Sequence, residues 1–466
     1  MKKILSLLLC MLFGLSLFLT GCGTGLSDVQ NNEVGIIYNG GGVAFVGDHL
    51  FFANAFASGH ADMADMNAYN DAAKYANLNR VDMNKIGDAT KYASSENVET
   101  VSQGDYVGHS ETYMFAYKNC LYYVCPTTHK TSENKNVFDV LSVFRINYNG
   151  SGRAEVYTTK ASFNATEGKI VAVEYNNIAY LMIFDGENFT TIDITNGGAK
   201  VELEDVNSVA LPQENAEWNG VVYYTKSNEE ATLNDVFKIN VDGTNQAQIN
   251  NKGEISKTVK FIGRYDDKVF YSISDEGSTS VKDFVVDAED IVSGLFSEVN
   301  SYFYTKEISN IMKVNVGTGY PNYKGYIFNS SGNVLYKNVA SNEEATVIIK
   351  SNDYASAKVI CAIGPYVYFS TASGIYKVSV VTKEVETIVS SDEIKVTTDI
   401  AGYTVNTLDG EVVEVKDIFF FAERMYDAEE SGDKSDKKVY MYKVSAKGGD
   451  ATVVSKFLEE ETKEEA

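Results

Sequence analysis

The sequence predicts an all-β fold, a single β-propeller of about eight four-stranded blades, on three observations. A short strand–turn–strand signature recurs along the whole chain, and a second hairpin signal follows most of its copies. The composition is rich in Tyr (31) and Phe (24) and poor in Pro (4), which suits pleated, half-buried strands.

The signature runs "VGDHLFFAN" from Val46, "YKNCLYYVC" from Tyr117, "YNNIAYLMI" from Tyr175 and "WNGVVYYTK" from Trp218. It continues with "YDDKVFYSI" from Tyr265, "YKGYIFNSS" from Tyr323, "IGPYVYFST" from Ile363 and "VKDIFFFAE" from Val415. Each copy opens on an apolar or aromatic residue and has a turn former in third place: Asp48, Asn119, Asn177, Gly220, Asp267, Gly325, Pro365 or Asp417. A Tyr- and Phe-rich run follows. Physically each copy is strand, tight turn, strand, and a run apolar on both faces is a strand buried between two packed layers.

The second signal is sharpest in "SVFRINYNGSGRAEVY" from Ser142 and "DVFKINVDGTNQAQI" from Asp235. In both, alternating strands flank Asn149-Gly150 or Asp242-Gly243, the strongest short-range hairpin pattern. Weaker versions are "IMKVNVGTG" from Ile311, "VLYKNVASN" from Val334, "IYKVSVVTK" from Ile375 and "MYKVSAKGG" from Met441. One unit is therefore about four strands, and the units recur every 40 to 71 residues. That is the organisation of a propeller whose blades bury their faces on one another. Seven blades plus one irregular unit fit the same spacing. The strand "VGIIYN" (Val34 to Asn39) is expected to close the ring by pairing near Ala451 to Val454.

Two blades carry insertions. In the first, Ala61, Ala64, Ala68, Ala72 and Tyr75 share a face at helical spacing. In the fifth, Val281, Phe284, Val285, Ala288, Ile291, Val292, Leu295, Phe296 and Val299 form an i, i+3, i+4, i+7 stripe, behind a capping-box pattern at Ser280 and Asp283. Both predict helices.

The chain opens "MKKILSLLLCMLFGLSLFLTGCGTG". Lys2 and Lys3 precede an apolar run from Ile4 to Leu19, shorter than the roughly 20 residues a membrane-spanning helix needs. The run ends in Leu19-Thr20-Gly21-Cys22, which resembles the bacterial lipobox. By that resemblance, diacylglycerol is attached to the Cys22 thiol and the chain is cleaved before it, and a doubly acylated terminus anchors stably. The expected organisation is a signal peptide at 1–21, a lipidated N-terminus and tether at 22–33, the propeller at 34–457 and an acidic tail at 458–466. Beyond Cys10 and Cys22 remain Cys120, Cys125 and Cys361, an odd number for a disulfide framework, and all three are expected to be small core residues.

Little in the sequence points to catalysis. The formal net charge of −24 disfavours nucleic acid and anionic lipid as electrostatic partners. No Walker-type loop, Gly-x-Ser-x-Gly elbow or His-Glu-x-x-His motif occurs, and no cofactor motif is expected. "NGGGVAF" (Asn39 to Phe45) enters a strand and reads as a turn. His109, Cys120, Cys125 and His129 lie near the second blade, but "CLYYVC" reads as a strand rather than a metal-binding turn. His60, Asp62 and Asp65 sit together on a polar loop, where solvated side chains are the plainer reading. Trp218 is expected to fill core rather than to form a sugar platform.

The "RINYNGSG" and "KINVDGTN" hairpins resemble the low-density-lipoprotein-receptor-related type of propeller repeat in surface proteins of clostridia and related bacteria, over roughly Val34 to Phe457. That resemblance implies a noncatalytic surface or secreted module. The expectation is a propeller anchored through Cys22 at the extracellular face of the bacterial membrane, binding a protein, peptide, glycan or cell-wall ligand. The alternatives are a glycan-active or other hydrolase with carboxylates at the axis, and a structural subunit of a membrane-associated complex. Two or three axial carboxylates would favour the enzyme, whereas a Tyr-rich rim would favour binding.

Overall fold

Strands that are apolar on both faces must be covered on both sides, and here the cover is the next group of strands of the same kind. The computed structural model describes residues 26–456 except 32, 34, 54–76, 87–97, 103–112, 131–135, 165–166, 197, 199, 215–217, 228–233, 250–256, 266, 276–277, 279–280, 289–290, 292–311, 315–324, 331, 339–343, 391–394, 409–410 and 425–437. After a short β1 (Ile36–Ile37), blade 1 holds β2 (Val43–Val46), β3 (His49–Ala53), β4 (Leu78–Asp82) and β5 (Val98–Ser102). Blade 2 holds β6 (Met114–Tyr117), β7 (Cys120–Lys130), β8 (Asn136–Asn147) and β9 (Ala154–Thr158). Blade 3 is β10 (Lys169–Tyr175), β11 (Ile178–Phe184), β12 (Phe189–Asp193) and β13 (Lys200–Leu203). Blade 4 is β14 (Val206–Ala210), β15 (Val221–Ser227), β16 (Asn234–Asn240) and β17 (Ala247–Gln248).

Blade 5 shows three strands among the described residues: β18 (Lys257–Tyr265), β19 (Lys268–Asp275) and β20 (Val281–Asp287). Blade 6 is β21 (Met312–Val314), β22 (Gly325–Ser330), β23 (Asn333–Asn338) and β24 (Thr346–Ile349). Blade 7 is β25 (Lys358–Ile363), β26 (Tyr366–Thr371), β27 (Gly374–Ser379) and β28 (Val385–Ser390). Blade 8 is β29 (Lys395–Leu408), β30 (Glu411–Arg424), β31 (Lys438–Ser445) and β32 (Thr452–Lys456). Every blade is an antiparallel meander in chain order; only β1 pairs out of order, with β6.

The hydrophobic cores show that the blades close into a ring. One core lies at each junction, from blades 1 and 2 (Phe51 with Tyr123), through blades 2 and 3 (Tyr122 with Leu181) and blades 3 and 4 (Met182 with Tyr224). The series continues with blades 4 and 5 (Tyr223 with Phe261), 5 and 6 (Phe270 with Phe328), 6 and 7 (Ile327 with Phe369) and 7 and 8 (Cys361 with Phe420). The last core joins blade 8 back to blade 1, through Phe419, Phe421 and Val454 against Val43 and Phe52. This is why the Tyr/Phe runs are apolar on both sides: alternate residues of one strand serve two different cores. Among the first strands, β2 lies beside β6 and β29, β14 beside β18, and β25 beside β21 and β29.

The expected closure strand does something else. β1 adds to the axial side of blade 2, in register Ile36↔Tyr117 and Ile37↔Ala116, while Thr452–Lys456 pairs with β31 inside blade 8. Each terminal blade is thus built from its own contiguous segment. Closure is made by packing and by a reciprocal pair of hydrogen bonds: the Tyr403 amide donates to the Asn39 carbonyl (2.9 Å) and the Asn39 side-chain amide to the Tyr403 carbonyl (3.0 Å). "NGGG" is the reversal between β1 and β2, with Gly40 and Gly41 at φ +93° and +88°.

The helix expected over Ser278 to Asn300 is corrected at its start. Val281–Asp287 is the third strand of blade 5, with Phe284 facing the core shared with blade 4 and Val285 that shared with blade 6. An apolar stripe this short satisfies either period, and the need to pair β19 decides it. Residues 292–300 and the expected helix of the first insertion lie outside the described residues. "IMKVNVGTG" contributes β21, the first strand of blade 6, rather than a third strand of blade 5. "VKDIFFFAE" lies wholly within β30, where Asp417 marks a register shift against β29 instead of a turn.

The turns refine the signature by one position. Left-handed backbone falls on the second residue of the copy, at Gly47, Lys118, Asn176 and Gly364, and on the third only at Asn177 and Gly220. The two sharp hairpins are chemically equivalent. Asn147 and Asn240 each donate a backbone amide to the carbonyl of Ser151 or Thr244 and a side-chain amide to its hydroxyl, all at 2.9 Å. Asn149 and Asp242 accept from that same residue's amide and hydroxyl, and Gly150 and Gly243 take positive φ.

Residues counted as tether also join the fold. Val29 is buried in the core between blades 1 and 2, with Leu26 against it. Arg80, fully buried on β4, donates to the Ser27 carbonyl (2.7 Å), the Tyr148 carbonyl (2.9 Å) and Glu99 (2.8 Å).

Candidate binding site at the propeller axis

Three tyrosines and one carboxylate meet at the axis, and each is brought there by a departure from the repeat. Tyr38 follows β1, the strand out of order. Tyr113 immediately precedes β6, and its ring stacks on Tyr38 with centroids 5.4 Å apart. Tyr403 lies on β29 beside the Asn39 closure bonds. Glu214 comes from blade 4, where residues 211–220 stand in place of the two-residue turn that joins the first two strands of blades 1, 2, 3, 5 and 7. "LPQENAEW" is too polar to continue β14, and Pro212 has no amide to offer a neighbouring strand.

The Tyr113 hydroxyl ties the group together. It donates to Glu214 Oε1 (3.0 Å) and accepts from the Ala172 amide of β10 (2.8 Å). Burial pushes the Glu214 carboxyl above its usual range, and the Tyr113 hydrogen bond pulls the other way. Burial likewise pushes the phenols of Tyr38, Tyr113 and Tyr403 well up, and the nearby Glu214 charge adds to this in all three. Glu214 keeps part of its surface open, on the lining of a cavity.

Beside this group lies a cavity of about 210 Å³, lined by β10, β18 and the blade 4 connection. Its apolar wall is Ile170, Val171, Leu211, Pro212 and Ile262; its polar lining includes Lys169, Gln213 and Glu214. Lys169 donates to the Ile262 carbonyl, freed by the register shift between Phe261 and Gly263. Burial lowers the Lys169 ammonium to about 8, helped by the Lys260 charge and opposed by Glu167. Glu167 is itself engaged by Lys260.

Trp218 sits at the edge of the blade 3–blade 4 core, outside any strand. Its indole N–H donates to the Glu174 carbonyl (3.0 Å), and its ring packs near Tyr175 and the Arg264 guanidinium. Cys120 and Cys125 are on opposite faces of β7, Cys125 buried toward blade 1 and Cys120 half-buried toward blade 3. Cys361 is buried between blades 7 and 8. Cys22, His60, Asp62, Asp65 and His109 lie outside the described residues, as does the side chain of His129. None of the axial residues was singled out by motif; the signal for them was the charged, Pro-containing interruption between β14 and "WNGVVYYTK".

No family model and no curated protein matches the chain. Among solved structures it is similar to a prolyl endopeptidase (10% identity, TM-score 0.39), covering 72% of this chain but only 48% of that one. It is also similar to an oligogalacturonate lyase in complex with manganese (11% identity, TM-score 0.35, 90% and 89% covered). A third likeness is to the β-propeller domain of the trilobed protease from Pyrococcus furiosus (11% identity, TM-score 0.34, 75% and 99% covered). The propeller assignment rests on the strand pairing and the closed series of cores described above.

Proposed function

We propose that this chain is a lipid-anchored propeller at the extracellular face of a bacterial membrane, working as a binding module for a protein, peptide, glycan or cell-wall ligand through its axial site. The observation that carries this reading is the make-up of the axis. One carboxylate, Glu214, is surrounded by Tyr38, Tyr113 and Tyr403. Hydrolysis by paired carboxylates needs a second acid within about 10 Å. Among the described residues, none lines the cavity with Glu214. Burial raises the Glu214 carboxyl above its usual range, the direction a general acid needs, so a hydrolase is the second reading.

One titration separates the two. Trp218 is the sole tryptophan, and its ring lies 5.9 Å from the guanidinium of Arg264, which lines the cavity, so its fluorescence is the available reporter. Peptides and wall fragments are titrated while products are followed by mass spectrometry. Saturable response without turnover is expected; products that vanish in Glu214→Gln would make the protein an enzyme. Anchoring through Cys22 is tested by Cys22→Ala, which should release the protein from membranes. A mutant that stays membrane-bound with unchanged lipid label would show the anchor to lie elsewhere.

A further inference from the structure

We propose that the cavity beside the axis is a carboxylate site, in which Lys169 and Gln213 hold the anionic head of a small ligand and Ile170, Val171, Leu211, Pro212 and Ile262 pack on its short apolar body. This rests on the binding-module reading and names the ligand's chemistry.

An ammonium has three N–H donors. Lys169 uses one, on the Ile262 carbonyl, and the acid nearest it, Glu167, is taken by Lys260. Among the described residues, no group accepts from the other two donors, and none hydrogen-bonds the Gln213 side chain. Both side chains are half-buried and line the cavity, so their free donors are open to water there, and a ligand oxygen can take the place of that water. The lowered Lys169 titration is the electrostatic counterpart: burial and the Lys260 charge outweigh the opposing Glu167.

Size and charge narrow the class. At about 30 Å³ per water, 210 Å³ is the room of about seven waters, below the usual range for drug-sized ligands. Arg264 also lines the cavity; its guanidinium donates to the Val221 carbonyl (2.7 Å) and lies near the Trp218 ring, so it adds positive potential while Lys169 offers the free donors to an anionic group. Glu214, on the same lining, is turned to the Tyr113 hydroxyl, which donates to its Oε1 (3.0 Å). A short carboxylate fits, either as a free acid or as the C-terminus of a peptide.

The test follows Lys169 acetylation by an amine-reactive ester in the full-length chain in detergent, read by mass spectrometry as a function of pH. The probes are butyrate, an N-acetylated tripeptide ending in alanine, and the amide of that peptide. A carboxylate should slow Lys169 modification severalfold, move its midpoint upward by about one unit, and shift Trp218 emission with millimolar affinity. The amide should do neither, and Lys169→Gln should lose the emission response while Glu214→Gln keeps it. Response to butyrate alone assigns free acids; response to the peptide acid alone assigns chain termini. The proposal is overturned if neither acid protects Lys169, or if folded Lys169→Gln responds as the wild type does. Turnover of the peptide would overturn the binding-module reading and leave the carboxylate site standing.

Discussion

Tyr113 is the residue on which the axis turns, because its single hydroxyl answers two buried groups from different blades. Tyr113→Phe leaves the Ala172 amide and the Glu214 carboxyl without it, and is expected to cost about 1–3 kcal/mol in urea unfolding. The cost should depend on pH with a definite sign. Glu214 binds its proton more tightly folded than unfolded, so its contribution falls as pH rises from the ordinary carboxylate value through the raised one. The Tyr113 hydrogen bond opposes that shift, so the variant should lose more at neutral pH than in acid; equal losses would argue that the hydroxyl does not contact the carboxylate. Lys169 has the opposite slope. Its folded value of about 8 lies below its ordinary 10.5, so the unfolded state binds more protons between them and stability rises with pH across that window. The difference is on the order of 3 kcal/mol, and Lys169→Met should remove it from the pH profile of unfolding. None of these roles was legible in the sequence, because each depends on where a non-repeating residue lands across the ring.

At the level of strands, the repeat was legible wherever a blade obeys it. The copies at Val46, Tyr117, Tyr175, Tyr265 and Ile363 are two strands joined by a two-residue turn, because local turn chemistry and burial on both faces agree there. It misled where one strand differs. β29 and β30 are 14 residues each, so an Asp that marks a turn elsewhere sits at a register shift within β30. The closure strand was misassigned because an apolar pair such as Ile36-Ile37 fits any open edge, and only three-dimensional position selects β6. Closure by packing makes its own prediction. A Cβ on Gly402 would strike the Asn39 carbonyl and the Val43 side chain, and one on Gly42 the Ala401 carbonyl. Gly402→Ala should destabilise by about 1–3 kcal/mol and speed amide exchange in β2 and β29 first. Gly243→Ala, at φ +87° in the blade 4 hairpin, should loosen β16 and β17 instead. Identical exchange patterns in the two variants would mean that the blade 8–blade 1 junction is not a separate weak point.

For the molecule as a whole, the proposed lipid anchor on Cys22 makes a prediction about how the propeller would sit on a membrane. Ser27 is held by Arg80, Asp28 accepts from Asn149, and Asn31 donates to the Lys118 carbonyl. Asn149 and Lys118 are turn residues at one end of blade 2, so residues 26–31 run across that end of the ring. With lipid on Cys22, three residues lie between the anchor and Leu26, a span of four steps and at most about 14 Å. The end of the ring bearing these turns is then expected to face the bilayer, and the opposite end to face outward. β11 spans 7 residues, placing the two ends about 23 Å apart. A fluorophore at Asn119, on the turn end, should be quenched by spin-labelled headgroups, whereas one at Glu187, in the β11–β12 turn, should not. Both residues are exposed, so neither label disturbs a core. In Cys22→Ala added to the same vesicles, quenching at Asn119 should disappear, because the net charge of −24 gives anionic lipid nothing to attract. Equal quenching at the two sites in the anchored protein would mean that the propeller tumbles on its anchor, and that the packing of residues 26–31 does not orient it.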